Sequence, residues 1–141
     1  MDRIDELIDI IQQEAELTEQ LESLLHSKQE AFIGWNADDL ESVIQKEISY
    51  LHLLSELETK RGAIVKELLP HAVSPTMSLV TQQYPSEVLE RHSNRLRTVS
   101  HSVMKKNEQN RRLLSNSLGF VQNTLSILTN NYKRQLLDQK V

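Results

Sequence analysis

Any catalysis or metal binding in this chain would have to draw on five histidines, His26, His52, His71, His92 and His101, and twenty carboxylates, because there is no cysteine. None of the five lies three residues after a glutamate, the spacing that lets a helical bundle close a carboxylate-bridged di-metal site. Glu22–His26 and His52–Glu56 share helix faces at i,i+4 and read as surface pairs. The chain has no His-Glu-x-x-His, no glycine-rich phosphate loop and no Gly-x-Ser-x-Gly elbow that would expose a serine nucleophile. The chemistry expected is therefore recognition and not catalysis, with no cofactor and no metal.

Two polar residues suit recognition better. Asn107 and Asn110 sit three apart, at or beside an apolar stripe where Leu or Val would otherwise be expected. A carboxamide there either fixes helix register in a coiled coil at some cost in stability, or hydrogen-bonds an incoming peptide. Spacing alone leaves both readings open.

The elements that must carry these residues are helical. Apolar side chains make up 38% of the chain, aromatics only 4%, and there are three glycines and three prolines in 141 residues, too little punctuation for a turn-rich β fold. Ile4, Leu7, Ile8, Ile11, Ala15, Leu21, Leu24, Leu25 and Phe32 recur at threes and fours, which predicts a first helix over about 2–33. Its stripe has a polar patch at Glu14 and Thr18. Gly34 is expected to end it in the left-handed conformation, and Asn36 or Asp38 to cap the next helix.

The second helix, about 38–69, carries Leu40, Val43, Ile44, Ile48, Leu51, Leu54, Leu57, Ile64, Val65 and Leu68, and stops before Pro70. All three prolines fall in 70–85, where a short helix over about 75–83 is expected, capped by Ser74 with Pro75 at its first position. The last helix spans about 86–131, from Ser86 to a stop at Asn130-Asn131. Its stripe is Leu89, Leu96, Val99, Val103, Leu114, Leu118, Val121, Leu125 and Leu128. The expected fold is all-α: a single domain over 1–141, an elongated antiparallel bundle of three long helices with coiled-coil character and a short helix in the connector.

Lengths then single out one region. The first two helices, at about 30 residues, are roughly 45 Å long, and the last, at about 46 residues, roughly 70 Å. Running back along the hairpin, the last helix draws level with its turn near Leu118. The remainder, about 118–132, is left without a partner in the chain. It carries Leu118, Phe120, Val121, Leu125, Ile127 and Leu128, and an apolar patch of this kind marks an interaction site. The alternatives are a bend at Gly119 or self-pairing in a weak homodimer.

Charge and hydropathy restrict the partners. Residues 1–69 hold sixteen acidic against six basic side chains, and residues 70–141 four against ten; such halves are expected to fold against each other. The basic residues, among them Arg91, Arg95, Arg97, Lys105, Lys106, Arg111 and Arg112, lack interleaved aromatics and match no DNA-reading motif, so no nucleic acid is expected. No run approaches the roughly 18 apolar residues of a membrane span. The acidic Met1-Asp2-Arg3-Ile4-Asp5-Glu6 start is unlike a secretory signal, so a cytoplasmic location is expected.

The stretch Lys106-Asn107-Glu108-Gln109-Asn110-Arg111-Arg112-Leu113-Leu114 resembles the Asn-x-x-Asn-x-x-Leu-Leu signature on the last helix of FlgN-type flagellar export chaperones. Leu57-Glu58-Thr59-Lys60-Arg61 is similar to the family's Leu-Glu-x-x-Arg, and Lys46 to a lysine upstream of it. The order of helices agrees over nearly the whole chain. The resemblance implies a bacterial, non-enzymatic chaperone that uses no cofactor. It would hold the disordered C-terminal segment of hook-associated (hook–filament junction, FlgK and FlgL type) proteins as a helix. It would then deliver them to the export gate of the flagellar type III apparatus.

Carried onto this chain, the resemblance makes Asn107 and Asn110 polar clamps and Leu114, Leu118, Val121, Leu125 and Leu128 the apolar strip. One departure stands out: Tyr132 is followed by Lys133-Arg134-Gln135-Leu136-Leu137, with none of the glycine of the family's tail, so a gate-docking role is not carried over to Tyr132. The rival readings are a chaperone for a different flagellar substrate, such as the filament cap, and a structural coiled coil that self-associates through its last helix.

Overall fold

The computed structural model describes the backbone of residues 2–139 and the side chains of residues 2–118, 126, 127, 129 and 130. Among the described residues there are four α-helices and no strand: α1 (Arg3–Ile33), α2 (Ala37–Leu68), α3 (Met77–Gln83) and α4 (Glu87–Gln139). The chain divides into two compact units, Met1–Asn107 and Glu108–Val141. The first holds α1, α2, α3 and the beginning of α4; the second holds the rest of α4.

The turn between α1 and α2 is a Schellman motif. The Asn36 amide donates to the Ala31 carbonyl at 3.1 Å and the Trp35 amide to the Phe32 carbonyl at 3.3 Å. Such a motif places its left-handed residue one position past the C-cap. Gly34 is itself the cap, with φ −81, so the left-handed φ of 53 falls on Trp35. The expectation that Gly34 would adopt it was one residue out. Asn36 caps α2, accepting from the Asp39 amide at 3.1 Å while its Nδ2 donates to the Asp39 carboxylate at 2.7 Å.

Three further local assignments differ from expectation. Thr76, and not Ser74, caps the short helix, its hydroxyl accepting from the Leu79 amide at 3.3 Å. A side chain that caps the amide three residues on needs an extended backbone, which Thr76 has (φ −130, ψ 158). Ser86 caps α4 by accepting from Leu89 at 3.3 Å, as its position suggested. At the far end α4 does not stop at Asn130-Asn131 but continues to Gln139, and it passes through Gly119 without a break. Asparagine costs a helix only about 0.7 kcal/mol relative to alanine. With no proline after it and with Gln, Leu and Lys following, that is too little to end the ladder.

The core of the first unit lies where four elements meet. Leu7 and Ile11 of α1, Ile64 and Val65 of α2, Leu69, Val80 of α3 and Leu89 of α4 are all buried, with Ile4, Ile8, Leu68, Met77, Tyr84 and Leu96 packed around them. Each such side chain contributes about 1.5–3 kcal/mol on burial. The Tyr84 hydroxyl donates to the Leu68 carbonyl at 3.3 Å, which ties the connector back to the end of α2.

Ion pairs fix how the helices run. Arg3–Glu67, Glu14–Arg61 and Lys28–Glu47 pair α1 with α2, at 2.8, 2.8 and 2.9 Å, in an order that requires the two to be antiparallel. Arg95 of α4 donates twice to the Glu19 carboxylate, at 2.8 and 2.9 Å, and Lys106 lies 3.1 Å from Nδ1 of His26. This part of α4 therefore runs parallel to α1 and opposite to α2. Among the described residues only Arg95–Glu19 joins the basic half of the chain to the acidic half by an ion pair; the other described interhelical pairs lie within the acidic half.

Candidate functional site

The polar patch on α1 holds a buried carboxylate of the first unit. Glu14 and Thr18 are buried, at 4% and 5% exposure, on the face that elsewhere carries Leu7, Ile11 and Leu21. The Thr18 hydroxyl donates to the Glu14 carbonyl at 2.6 Å, and the Glu14 carboxylate accepts from Arg61 Nε at 2.8 Å. Burial pushes the Glu14 carboxyl above the ordinary glutamate range; the Arg61 guanidinium opposes that, and the nearby Glu58 carboxylate adds to it. Arg61 is the arginine of the Leu-Glu-x-x-Arg stretch. Its side chain completes a buried pair, so its position answers to packing as well as to any partner.

Beside this pair a cleft of about 480 Å³ opens between α1, α2 and the first part of α4. Thr18 and Leu21 form its floor, Leu51, Leu54, Ser55 and Glu58 one wall, and Leu96, Ser100, Val103 and Met104 the other. The α2 wall continues as an exposed apolar stripe: Ile44 is 37%, Ile48 63% and Leu51 49% exposed, and Met104 across the cleft is 68% exposed.

Sequence reasoning counted Ile44, Ile48 and Leu51 among the apolar positions of the second helix without separating covered from open ones. The structure buries only Ile64 and Val65 of α2. The signal was the width of the apolar arc. At about 100° per residue, Ile44, Ile48 and Leu51 stand roughly a quarter turn or more from Val43, Leu57 and Leu68, which is too wide an arc for one antiparallel neighbour to cover.

The second unit presents another surface. Leu114 is 42%, Leu118 54% and Ile127 62% exposed. Val121, Leu125 and Leu128, the rest of the expected strip, lie outside the described side chains, as does Tyr132. The two asparagines differ: Asn107 is exposed, and Asn110 is buried to 2%. Glu108, between them, accepts from Arg111 at 2.8 and 3.0 Å and from Arg112 at 3.2 Å. The hydrogen bond from Arg111, reinforced by Arg112, brings its carboxyl down to about 2.

Four of the five histidines, His26, His52, His71 and His101, are exposed, and His92 is half-buried. His52 pairs with Glu56 at 3.3 Å, whereas His26 turns to Glu30 at 3.2 Å and not to Glu22. Among the described residues no three His, Asp or Glu side chains are grouped to hold a metal, and no helix is long and apolar enough to cross a membrane.

Among the described residues, then, long helices expose apolar side chains on α2 and on α4, the kind of surface against which other helices pack. The family model for FlgN protein matches residues 1–137, and the chain belongs to that family. Membership implies the role of a flagellar export chaperone. Comparison with curated proteins and with solved structures gives no match.

Proposed function

We propose that this chain is a cytoplasmic secretion chaperone for hook-associated proteins. It binds the disordered C-terminal segment of its substrate as a helix, keeps that segment from assembling early, and hands it to the flagellar type III export gate. The strip on α4 is the binding site, with Leu114, Leu118, Val121, Leu125 and Leu128 as the apolar face and the pair Asn107 and Asn110 as the polar positions, of which Asn107 is exposed to a partner and Asn110, at 2% exposure, acts from beneath the surface. The whole of 1–141 serves this one role.

The observation that carries this reading is the exposure of Leu114 and Leu118, at 42% and 54%, in a chain of the FlgN family. An amphipathic helix docks by laying apolar side chains at i, i+3, i+4 and i+7 into a complementary surface. Leu114 and Leu118 offer the matching i,i+4 pair, and the exposed Asn107 stands two turns before Leu114, where its amide can reach a backbone group. Ordering a disordered segment costs a few kcal/mol of the gross interaction, which keeps the complex reversible enough for release.

Leu118→Asp tests the site, because Leu118 is exposed and the substitution leaves the described core untouched. Binding of a hook-associated C-terminal peptide is expected to fall at least about tenfold, the loss of one buried leucine side chain, with the helical circular dichroism unchanged. Undiminished affinity would remove this strip as the site.

A further inference from the structure

Besides the strip on α4, the described residues present an apolar surface on α2, and it has features that identify its occupant. On α2, Leu51, Ser55 and Glu58 line the cleft beside α1. Ile44 and Ile48 extend the same face, at spacings of four and three, toward the start of the helix. The charged side chains on that face between Ile44 and Glu58 are carboxylates, Glu47, already held by Lys28 at 2.9 Å, and Glu58, while Arg61, which also lines the cleft, is taken up by Glu14 at 2.8 Å. A helix seated here must bring apolar side chains to Leu51 and a cation to Glu58.

The chain itself contains such a helix. In the second unit Arg111, Leu114 and Leu118 stand at i, i+3 and i+7, all exposed or partly so. On α2, Glu58, Ser55 and Leu51 stand at i, i−3 and i−7. An antiparallel pairing that sets Arg111 against Glu58 therefore also sets Leu114 over Ser55 and Leu118 over Leu51, because both sets span seven residues, about 10.5 Å of helix. Arg111 can exchange partners: its bond to Glu108 is a surface i,i+3 pair, 68% exposed on the arginine side, and Arg112 also donates to Glu108 at 3.2 Å, so Glu108 keeps a cation when Arg111 turns away.

We propose that the α2 face from Ile44 to Glu58 is a docking surface for the Arg111–Leu118 segment of a second copy of this chain. The exchange is reciprocal, each copy placing its segment in the other's cleft, so the interface closes as a two-fold dimer. In the dimer the α4 strip is covered by a like molecule, and a substrate helix competes for it. Self-association and substrate binding exclude one another.

Sedimentation equilibrium of the full chain, from micromolar to millimolar concentration, reads the dimer directly. Leu51→Glu and Leu118→Glu, both at exposed positions, are each expected to raise the dimer Kd at least about tenfold. Glu58→Arg and Arg111→Glu are each expected to weaken it about threefold, and the double exchange to restore it. That recovery cannot come from misfolding.

Leu51→Glu, tested separately against a hook-associated C-terminal peptide, is expected to bind it as tightly as the parent chain or more so. A monomer at all concentrations, or a dimer indifferent to both leucine substitutions, overturns the proposal. So does loss of peptide binding in Leu51→Glu, which would give the α2 face to the substrate. Failure of the Leu118 strip to bind peptide would refute the substrate site and leave the dimer measurement standing.

Discussion

The two ends of α2 are built from the same kinds of residue and have opposite fates. Ile64 and Val65 are 6% and 5% exposed; Ile48 and Leu51 are 63% and 49% exposed. Local propensity does not separate them, since both pairs lie inside one unbroken helix. What separates them is the number of elements that converge. At Ile64 the start of α1, the connector, α3 and the start of α4 all contribute side chains to one cluster. At Ile48 the side facing α1 is covered and the adjacent side is not. Apolar surface is stabilising only where something excludes water from it, so one amphipathic helix serves as core at one end and as an open surface at the other.

The largest test of that contrast is a matched pair of truncations. Leu7→Ala, at a fully buried position, is expected to cost about 3 kcal/mol in denaturant unfolding, transfer and cavity terms together. Ile48→Ala is expected to stay within about 0.5 kcal/mol, as exposed substitutions do. Similar losses at both positions would mean that the α2 face is covered in solution.

The next effect concerns the buried ion pair beside the cleft. Arg61→Met leaves the Glu14 carboxylate without its partner and is expected to cost about 2 kcal/mol at neutral pH. This is below the range for a fully buried pair, because the Arg61 side chain is 25% exposed. The pH dependence has a definite sign. Burial raises the folded-state pKa of Glu14, so its contribution is most favourable below the unfolded value near 4.5 and is lost as pH rises through the folded value. The deficit of the Arg61→Met variant should therefore narrow on acidification toward that range. A deficit that widens instead would contradict the assignment.

Two smaller effects lie outside the contrast and bound it. Trp35 holds a left-handed φ of 53 at the C′ position, a cost a glycine does not pay. Trp35→Gly is expected to stabilise the hairpin by about 1 kcal/mol, read as a higher denaturation midpoint. In the second unit, Glu108 should titrate near 2 in a carboxyl NMR titration, held down chiefly by its bond from Arg111. Its contribution to local helix is present above the ordinary glutamate value and is lost as pH falls through about 2. Arg111→Ala should return the midpoint toward the ordinary range.

Much of the fold was legible in the residues. The helices could be placed because threes and fours recur in long runs with little glycine or proline. Pro70 and Ser86 mark boundaries by their own chemistry: proline lacks the amide a helix needs, and serine accepts from the first free amides. The errors lay where neighbouring candidates are nearly equal in energy. Ser74 and Thr76 are both competent caps, and Gly34 and Trp35 adjoin in the same turn. Asn130-Asn131 disfavours a helix by too little to stop one.

Of the candidate strip, Leu114 and Leu118 were legible because periodicity names every apolar position on a helix, covered or not. The α2 face was missed for that same reason. Ile44, Ile48 and Leu51 look like core in one dimension, and only the wide arc they share with Val43 and Leu57 hints that one neighbour cannot cover them all. Glu14 showed as an interruption of the stripe, but Arg61, 47 residues on, could not be matched to it from spacing.

The sequence alone determined that this chain is helical, where its hairpin turns, and which residues are apolar, since these follow from backbone geometry and side-chain chemistry within a few residues. Tertiary structure alone decided which apolar residues are covered, that Glu14 is buried against Arg61, and that the cleft beside α1 stays open. Burial depends on how many elements meet at a point in space, and no local stretch of sequence encodes that number.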